Sequence, residues 1–186
     1  MQNIFIALLS VLLLSSCATS VSSIKSDATN VENAKSLNDR GYLLIGVETN
    51  RSLKNIFIIG EENIKLSHED LRMGTNYILI DLAAGDYLIS NIALNDYQKL
   101  LLDDKDNWRF EIKPKTISYI GHLELASRGF FNRGIRIELV NRSTEALEFM
   151  EDNFPTILSA QEMHFGGPSE DYFFRYLNGE VSFDEK

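Results

Sequence analysis

The sequence predicts a mainly β fold: an antiparallel β-sandwich of about seven short strands with a short helical C-terminal extension. Three observations carry this. Apolar residues recur with a period of two between Gly41 and Val140. Turn-forming residues interrupt the pattern at intervals of roughly ten residues. After Arg142 the period becomes helical.

The strands follow in order. Leu43, Ile45 and Val47 alternate with Tyr42, Leu44 and Gly46, and Asn55 to Gly60 is an apolar run bounded by turn residues, as a central strand would be. Ile78, Ile80 and Leu82 alternate with Tyr77, Leu79 and Asp81, and after the turn Ala83-Ala84-Gly85 the next run starts at Asp86. Trp108, Phe110 and Ile112 are expected to face inward, and Arg109, Glu111 and Lys113 outward. Ile117, Tyr119, Leu123 and Leu125 are placed on one face, opposed by Ser118, His122 and Glu124. Ile135, Ile137 and Leu139 alternate with Arg136 and Glu138. Such alternation means one buried and one wet face, the habit of antiparallel sheets.

Ser67-His68-Glu69-Asp70 reads as a capping box opening one helical turn that Gly74 ends. Thr144 to Asn153 is expected to be helical, with Leu147, Met150 and Phe154 on one stripe, a cap region at Asn141-Arg142-Ser143 and a stop at Phe154-Pro155. A second helix is expected from about Ser169 to Leu177. Tyr172, Phe173, Tyr176 and Leu177 recur at i, i+1, i+4 and i+5, so they are assigned to the packed face, leaving Phe174 as the exposed aromatic. The resulting division is a signal peptide over 1–16, a lipidated N-terminus and flexible tether over 17–40, a β-sandwich domain over 41–142, and a helical extension over 143–186 packing on the sandwich.

The tether assignment rests on composition. Ala18 to Arg40 is rich in Ser, Thr, Asn and Lys with no sustained period, apart from a short helix considered at Val31 to Leu37. Before it, Ile4 to Leu14 is apolar except for Ser10, too short for a bilayer core that needs roughly 20 residues but the length of a signal-peptide h-region. The run closes on Leu14-Ser15-Ser16-Cys17, which resembles the lipobox of bacterial lipoproteins. That resemblance implies a diacylglycerol on the Cys17 thiol and cleavage just before it. By the same family's sorting rule, Ala18 implies the outer membrane, facing the periplasm. The segment Met1-Gln2-Asn3 departs from the family in lacking Lys or Arg, and ordinary cleavage after Ala18 is the alternative.

Cys17 is the one cysteine, so a mature domain of this chain folds without a disulfide and depends on its core. Roughly 170 residues suffice, since such domains bury around 70% of their unfolded surface. Acidic residues outnumber basic ones by 27 to 18 and the net charge is −9. Nucleic acid and anionic headgroups both demand a basic face, so the charge argues against them as partners.

Leu82-Ala83-Ala84-Gly85-Asp86-Tyr87-Leu88-Ile89 resembles the turn of transthyretin-like and carboxypeptidase-regulatory-like β-sandwich modules. Together with Phe110 to Gly121 it is similar to a group of proteobacterial lipoproteins in which a Pro-Gly turn precedes a Tyr-Ile-Gly strand; here Lys115 stands where the turn glycine would be. The resemblance covers about Gly41 to Val140. It implies an accessory or binding module and no catalytic residue.

The residues themselves offer little chemistry. His68, His122 and His164 lack metal-ligand spacing and are assigned to the surface, His122 on a wet strand face. Asp103-Asp104-Lys105-Asp106-Asn107 lacks the glycine of a calcium loop and reads as a solvated hairpin. There is no G-x-S-x-G elbow and no phosphate-cradling glycine pattern. No catalytic residue, metal or cofactor is therefore expected. Phe130, Phe131 and Phe174 are the candidate binding residues, since exposed aromatics anchor interfaces. The expectation is a non-enzymatic interaction or assembly module, tied to the membrane by lipid and meeting an envelope protein partner. The alternative is a carbohydrate-binding accessory or a hydrolase acting on wall or surface glycans.

Overall fold

The computed structural model describes residues 18–25, 27, 39–102, 106–128, 134–168 and 170–181. Among them eleven strands form two sheets. The first sheet contains β1 (Thr19–Val21), β4 (Ile64–Ser67), β3 (Asn55–Gly60), β6 (Gly85–Ala93) and β7 (Lys99–Leu101) in that order, with β8 (Arg109–Ile112) also on β6. The second runs β10 (Gly134–Val140), β9 (Thr116–Arg128), β2 (Arg40–Thr49) and β5 (Gly74–Ala83), with β11 (Glu162–Phe165) also on β9. Three helices complete it: α1 (Ser143–Asn153), α2 (Pro155–Ala160) and α3 (Tyr172–Leu177).

The mainly β class matches the expectation, and the strand count exceeds it. Pairing is mixed, not antiparallel throughout: β1 runs parallel to β4, and both β2 and β11 run parallel to β9. For β2, parallel pairing goes with burial. β2 is buried on both faces, since Leu43, Ile45 and Val47 join a cluster shared with the first sheet while Tyr42 and Leu44 join a second cluster with Met150, Phe154 and Ile157 of the helices. Strands covered on both sides read as continuous apolar runs and commonly pair in parallel.

Register held where a strand keeps one wet face. Phe110 and Ile112 are buried between exposed Arg109 and Glu111, and Ile135, Ile137 and Leu139 pack toward the shared cluster while Arg136 pairs with Glu138. In β9 it failed. Tyr119 lies opposite Leu44 but His122 opposite Gly46, so β9 carries one extra residue there. Gly121 supplies the bulge with φ +117, a conformation open to glycine. The bulge inverts the phase: Ile117 and Tyr119 face the helices, whereas Ile120, Leu123 and Leu125 face the other sheet. His122 lies on the helix side and is fully buried, a correction to its wet-face assignment.

Other boundaries shift for similar reasons. His68–Asp70 is a 3-10 turn without a Ser67 side-chain cap, and Gly74 begins β5 instead of ending the turn. Lys115 itself takes the left-handed turn conformation, at φ 59. Pro155 occupies the first turn of α2, where a missing N–H costs nothing, so it starts a helix as well as closing one. Part of the expected tether is also folded. Thr19 donates its N–H to Asn63 at 2.8 Å, Ile24 to Leu79 at 2.8 Å, and the Asp27 carboxylate accepts the Thr156 and Ile157 N–H groups at the start of α2. The expected helix at Val31 to Leu37 lies outside the described residues.

Candidate functional site

Cys17, Phe130 and Phe131 lie outside the described residues, as do Asp103 to Lys105. Phe174 is placed clearly, and against expectation. It is 1% exposed, edge-on to Tyr119 at 6.4 Å, while Tyr172, Tyr176 and Leu177 are about half exposed. The cap sets the helix phase. Asp171 Oδ1 accepts the Phe173 N–H at 2.7 Å and its Oδ2 accepts the Ser143 hydroxyl, which docks the start of α3 on α1 and turns Phe174 inward.

A crevice of about 430 Å³ lies where the edge of the first sheet meets the end of β11. Asp86 and Tyr87 of β6, Arg109, Phe110 and Glu111 of β8, Lys113, and the segment from His164 to Gly167 line it. Glu111 donates its N–H to the Gly166 carbonyl at 3.2 Å, and Gly166 donates to Tyr119 at 2.8 Å, so backbone ties the two sheets at its floor. Asp86 stands directly opposite Glu111 across β6 and β8, which brings paired side chains within about 5 Å. Arg109 lies two residues before Glu111 and Lys113 two after it, on the same face. The wall is therefore of mixed sign and suits a polar ligand carrying both charges. The aromatic rings there do not form an open platform, because Tyr87 and Phe110 stack on each other at 5.6 Å and are buried.

His164 also borders the crevice. Its Nε2 lies 3.3 Å from Ser118 Oγ, and its Nδ1 is buried with no hydrogen-bond partner among the described residues. Burial, with Lys113 adding repulsion, brings its pKa down to about 4, so the ring is neutral near pH 7. The Ser–His contact superficially matches a nucleophile and its base. Ser118 is fully buried, however, and its Oγ already accepts the Lys113 N–H at 3.2 Å, so the hydroxyl is not offered to a substrate.

A second polar cluster is internal. Tyr119 Oη accepts the Arg142 N–H at 3.1 Å, which directs the phenol hydrogen to His122 Nδ1 at 2.8 Å. The His122 proton then sits on Nε2, which has no partner among the described residues. Burial, reinforced by the Arg142 guanidinium, lowers the pKa of His122, and burial raises that of Tyr119. Arg142 is held by Glu124, by Glu48 at 3.0 Å and by Glu145 at 3.4 Å. Of the three histidines assigned to the surface only His68 is exposed, with Nδ1 2.8 Å from the Leu53 carbonyl. A glycine within the β9 run was the one sequence signal for the change of phase that buries His122.

The buried His122 and the half-buried His164 predict acid sensitivity. Each has a folded pKa below the value of about 6.5 it takes when unfolded, so the unfolded state binds more protons below pH 6.5. Stability is then complete above pH 6.5 and declines on acidification, for His164 down to about pH 4 with a slope approaching about 1.4 kcal/mol per pH unit. Urea midpoints at pH 7.5 and 5.0 measure this, and His164→Gln should remove part of the decline. A midpoint unchanged between the two pH values would refute it.

Among the described residues no three His, Cys, Asp or Glu side chains converge as metal ligands, and no helix is long and apolar enough to cross a membrane. Comparison with protein-family models, with curated proteins and with solved structures finds no match to this chain.

Proposed function

We propose that this chain is a lipid-anchored cell-envelope protein, acylated on Cys17 and held at the outer membrane facing the periplasm. Its β domain, a β-sandwich flanked by helices, acts there as a non-enzymatic interaction or assembly module. The observation that carries the anchoring is the uncharged apolar run closing on Leu14-Ser15-Ser16-Cys17. Two or three acyl chains on one cysteine, at about 0.8 kcal/mol per buried methylene, hold a domain firmly at a bilayer.

The chemistry of the interior supports a binding role over a catalytic one. Ser118, Tyr119 and His122 are buried and serve contacts within the fold. The buried Asp70 carboxylate is spent on the Ser23 N–H and on Lys25. A glycan-cleaving site would want convergent carboxylates together with exposed aromatic rings. The crevice supplies Asp86 opposite Glu111 but keeps Tyr87 and Phe110 inside, which favours the interaction module.

The mass of the mature N-terminus tests the anchoring. The expected product begins at Cys17 and carries diacylglycerol, and Cys17→Ser should leave an unprocessed, unacylated precursor. A lipid-free mature protein beginning at Thr19 would sink the reading.

A further inference from the structure

We propose that the end of the first sheet formed by the β3–β4 turn and the start of β6 rests on the membrane, against a headgroup layer of zwitterionic phospholipid. This depends on acylation of Cys17 as proposed above, and adds to it a fixed orientation of the domain. The short spacer is what imposes it. Cys17 precedes Thr19 by two residues, which span at most about 7 Å. Thr19 is already paired in the sheet, its N–H donated to Asn63 at 2.8 Å. A domain of this size has a radius of gyration of about 15 Å, so so short a link cannot turn another end toward the bilayer. The strand start is secured further along. Ser23 donates its N–H to the buried Asp70 carboxylate at 3.0 Å, and Ile24 donates to Leu79 at 2.8 Å.

Strand register then names the face. Thr19 lies opposite Ile64, Ile64 opposite Ile58, and Ile58 opposite Ile89. β1 runs away from the anchor, so everything before that row lies at the anchored end: the turn from Gly60 to Asn63, Asp86 to Leu88, and their partners Arg109 to Glu111. The crevice of mixed charge opens at this same end. Glu61, Asp86 and Glu111 stand beside Arg109 and Lys113, and Glu62 is paired with Arg40 at 2.7 Å. An anionic leaflet attracts an excess of Lys and Arg, whereas this surface mixes both signs with the acidic groups in slight excess, which suits the paired phosphate and ammonium of a zwitterionic headgroup better than an anionic one. Ile59, 44% exposed and opposite Leu88 one position nearer the anchor than Ile58, supplies an apolar contact. The opposite end carries the β6–β7 turn with Tyr97, 96% exposed, and is the control position.

The test uses the mature acylated protein in vesicles of phosphatidylcholine and phosphatidylethanolamine. Acylation blocks the Cys17 thiol, so Glu61→Cys and Tyr97→Cys each accept a single fluorescent label. A quencher carried on the lipid should reduce emission from position 61 several-fold more than from position 97. Inserting a Gly/Ser linker of about 20 residues between Ala18 and Thr19, with a reach of about 25 Å, should erase the difference. Equal quenching without the linker, or stronger quenching at 97, overturns the orientation. Mass spectrometry of the same samples separates the two failures. An acylated sample with equal quenching refutes the orientation alone, and an unacylated Cys17 refutes the anchoring and the orientation with it.

Discussion

Replacing Phe174 with alanine is expected to lower the free energy of unfolding by about 3–5 kcal/mol, as burying an aromatic ring and then deleting it does elsewhere. Phe174, with Phe173 edge-on beside it, is the side chain that seals the C-terminal helix against Tyr119 and the cluster beneath α1 and α2. Domains of this kind are stable by only about 5–15 kcal/mol, so the loss is a large share of the total. Tyr176→Ala, from the half-exposed side of the same six-residue helix, should cost no more than about 1 kcal/mol. Equilibrium urea unfolding of the two variants measures the contrast. Equal midpoints would mean that α3 does not dock through Phe174. Removal of residues from Ser169 onward should reproduce the Phe174→Ala loss or exceed it, because it uncovers Tyr119 and Met163 as well.

The sequence was legible wherever a strand meets water on one side. β8 and β10 alternate cleanly because Arg109, Glu111, Arg136 and Glu138 face solvent while their neighbours face the shared core. It was less legible in β2 and β9, where helices cover the outer face and both sets of side chains are apolar or buried. Pairing direction cannot be read from such strands, since period two is the same for either. The sequence points Phe174 outward because the helical pattern of Tyr172, Phe173, Tyr176 and Leu177 fits a packed face equally well. The contact that decided it, Asp171 on Ser143, joins residues 28 apart.

The N-terminal strap illustrates a different blindness. Composition marks Thr19 to Asp27 as tether because it is mostly polar, yet it is attached chiefly by polar contacts, with Val21 and Ile24 packing on the core. β1 pairs through its backbone, and Ser23, Lys25 and Asp27 make hydrogen bonds and ion pairs with Asp70, Thr156 and Ile157. Long-range polar contacts of this sort leave no periodic trace. The crevice was invisible for the same reason: Asp86, Glu111 and His164 come from three strands and meet through tertiary pairing alone.

Gly46→Ala is expected to destabilise the fold by about 1–3 kcal/mol or more, and the loss should vanish when His122 is absent. The methyl group would sit 2.3 Å from His122 Nε2 and 2.4 Å from Cδ2 and Cε1, well inside contact distance. The ring has nowhere to retreat. Tyr119 Oη holds its Nδ1 at 2.8 Å, and Tyr77, stacked on Phe149 of α1, meets it edge-on at 4.8 Å. Glycine at 46 is therefore required by the neighbouring strand and not by its own backbone, since its φ is not in the left-handed range. His122→Ala alone should cost about 2–5 kcal/mol, through the cavity it leaves and through a Tyr119 hydroxyl deprived of its acceptor. In that background the added methyl group meets open space and partly refills it. The double variant should then be as stable as His122→Ala or more so, a coupling of about 1–3 kcal/mol in the mutant cycle. Urea unfolding of the four proteins at pH 7.5 reads this out with the imidazole neutral in both states. Simple additivity of the two losses would show that His122 does not lie over Gly46, and with it that the bulge at Gly121 does not turn the strand as described.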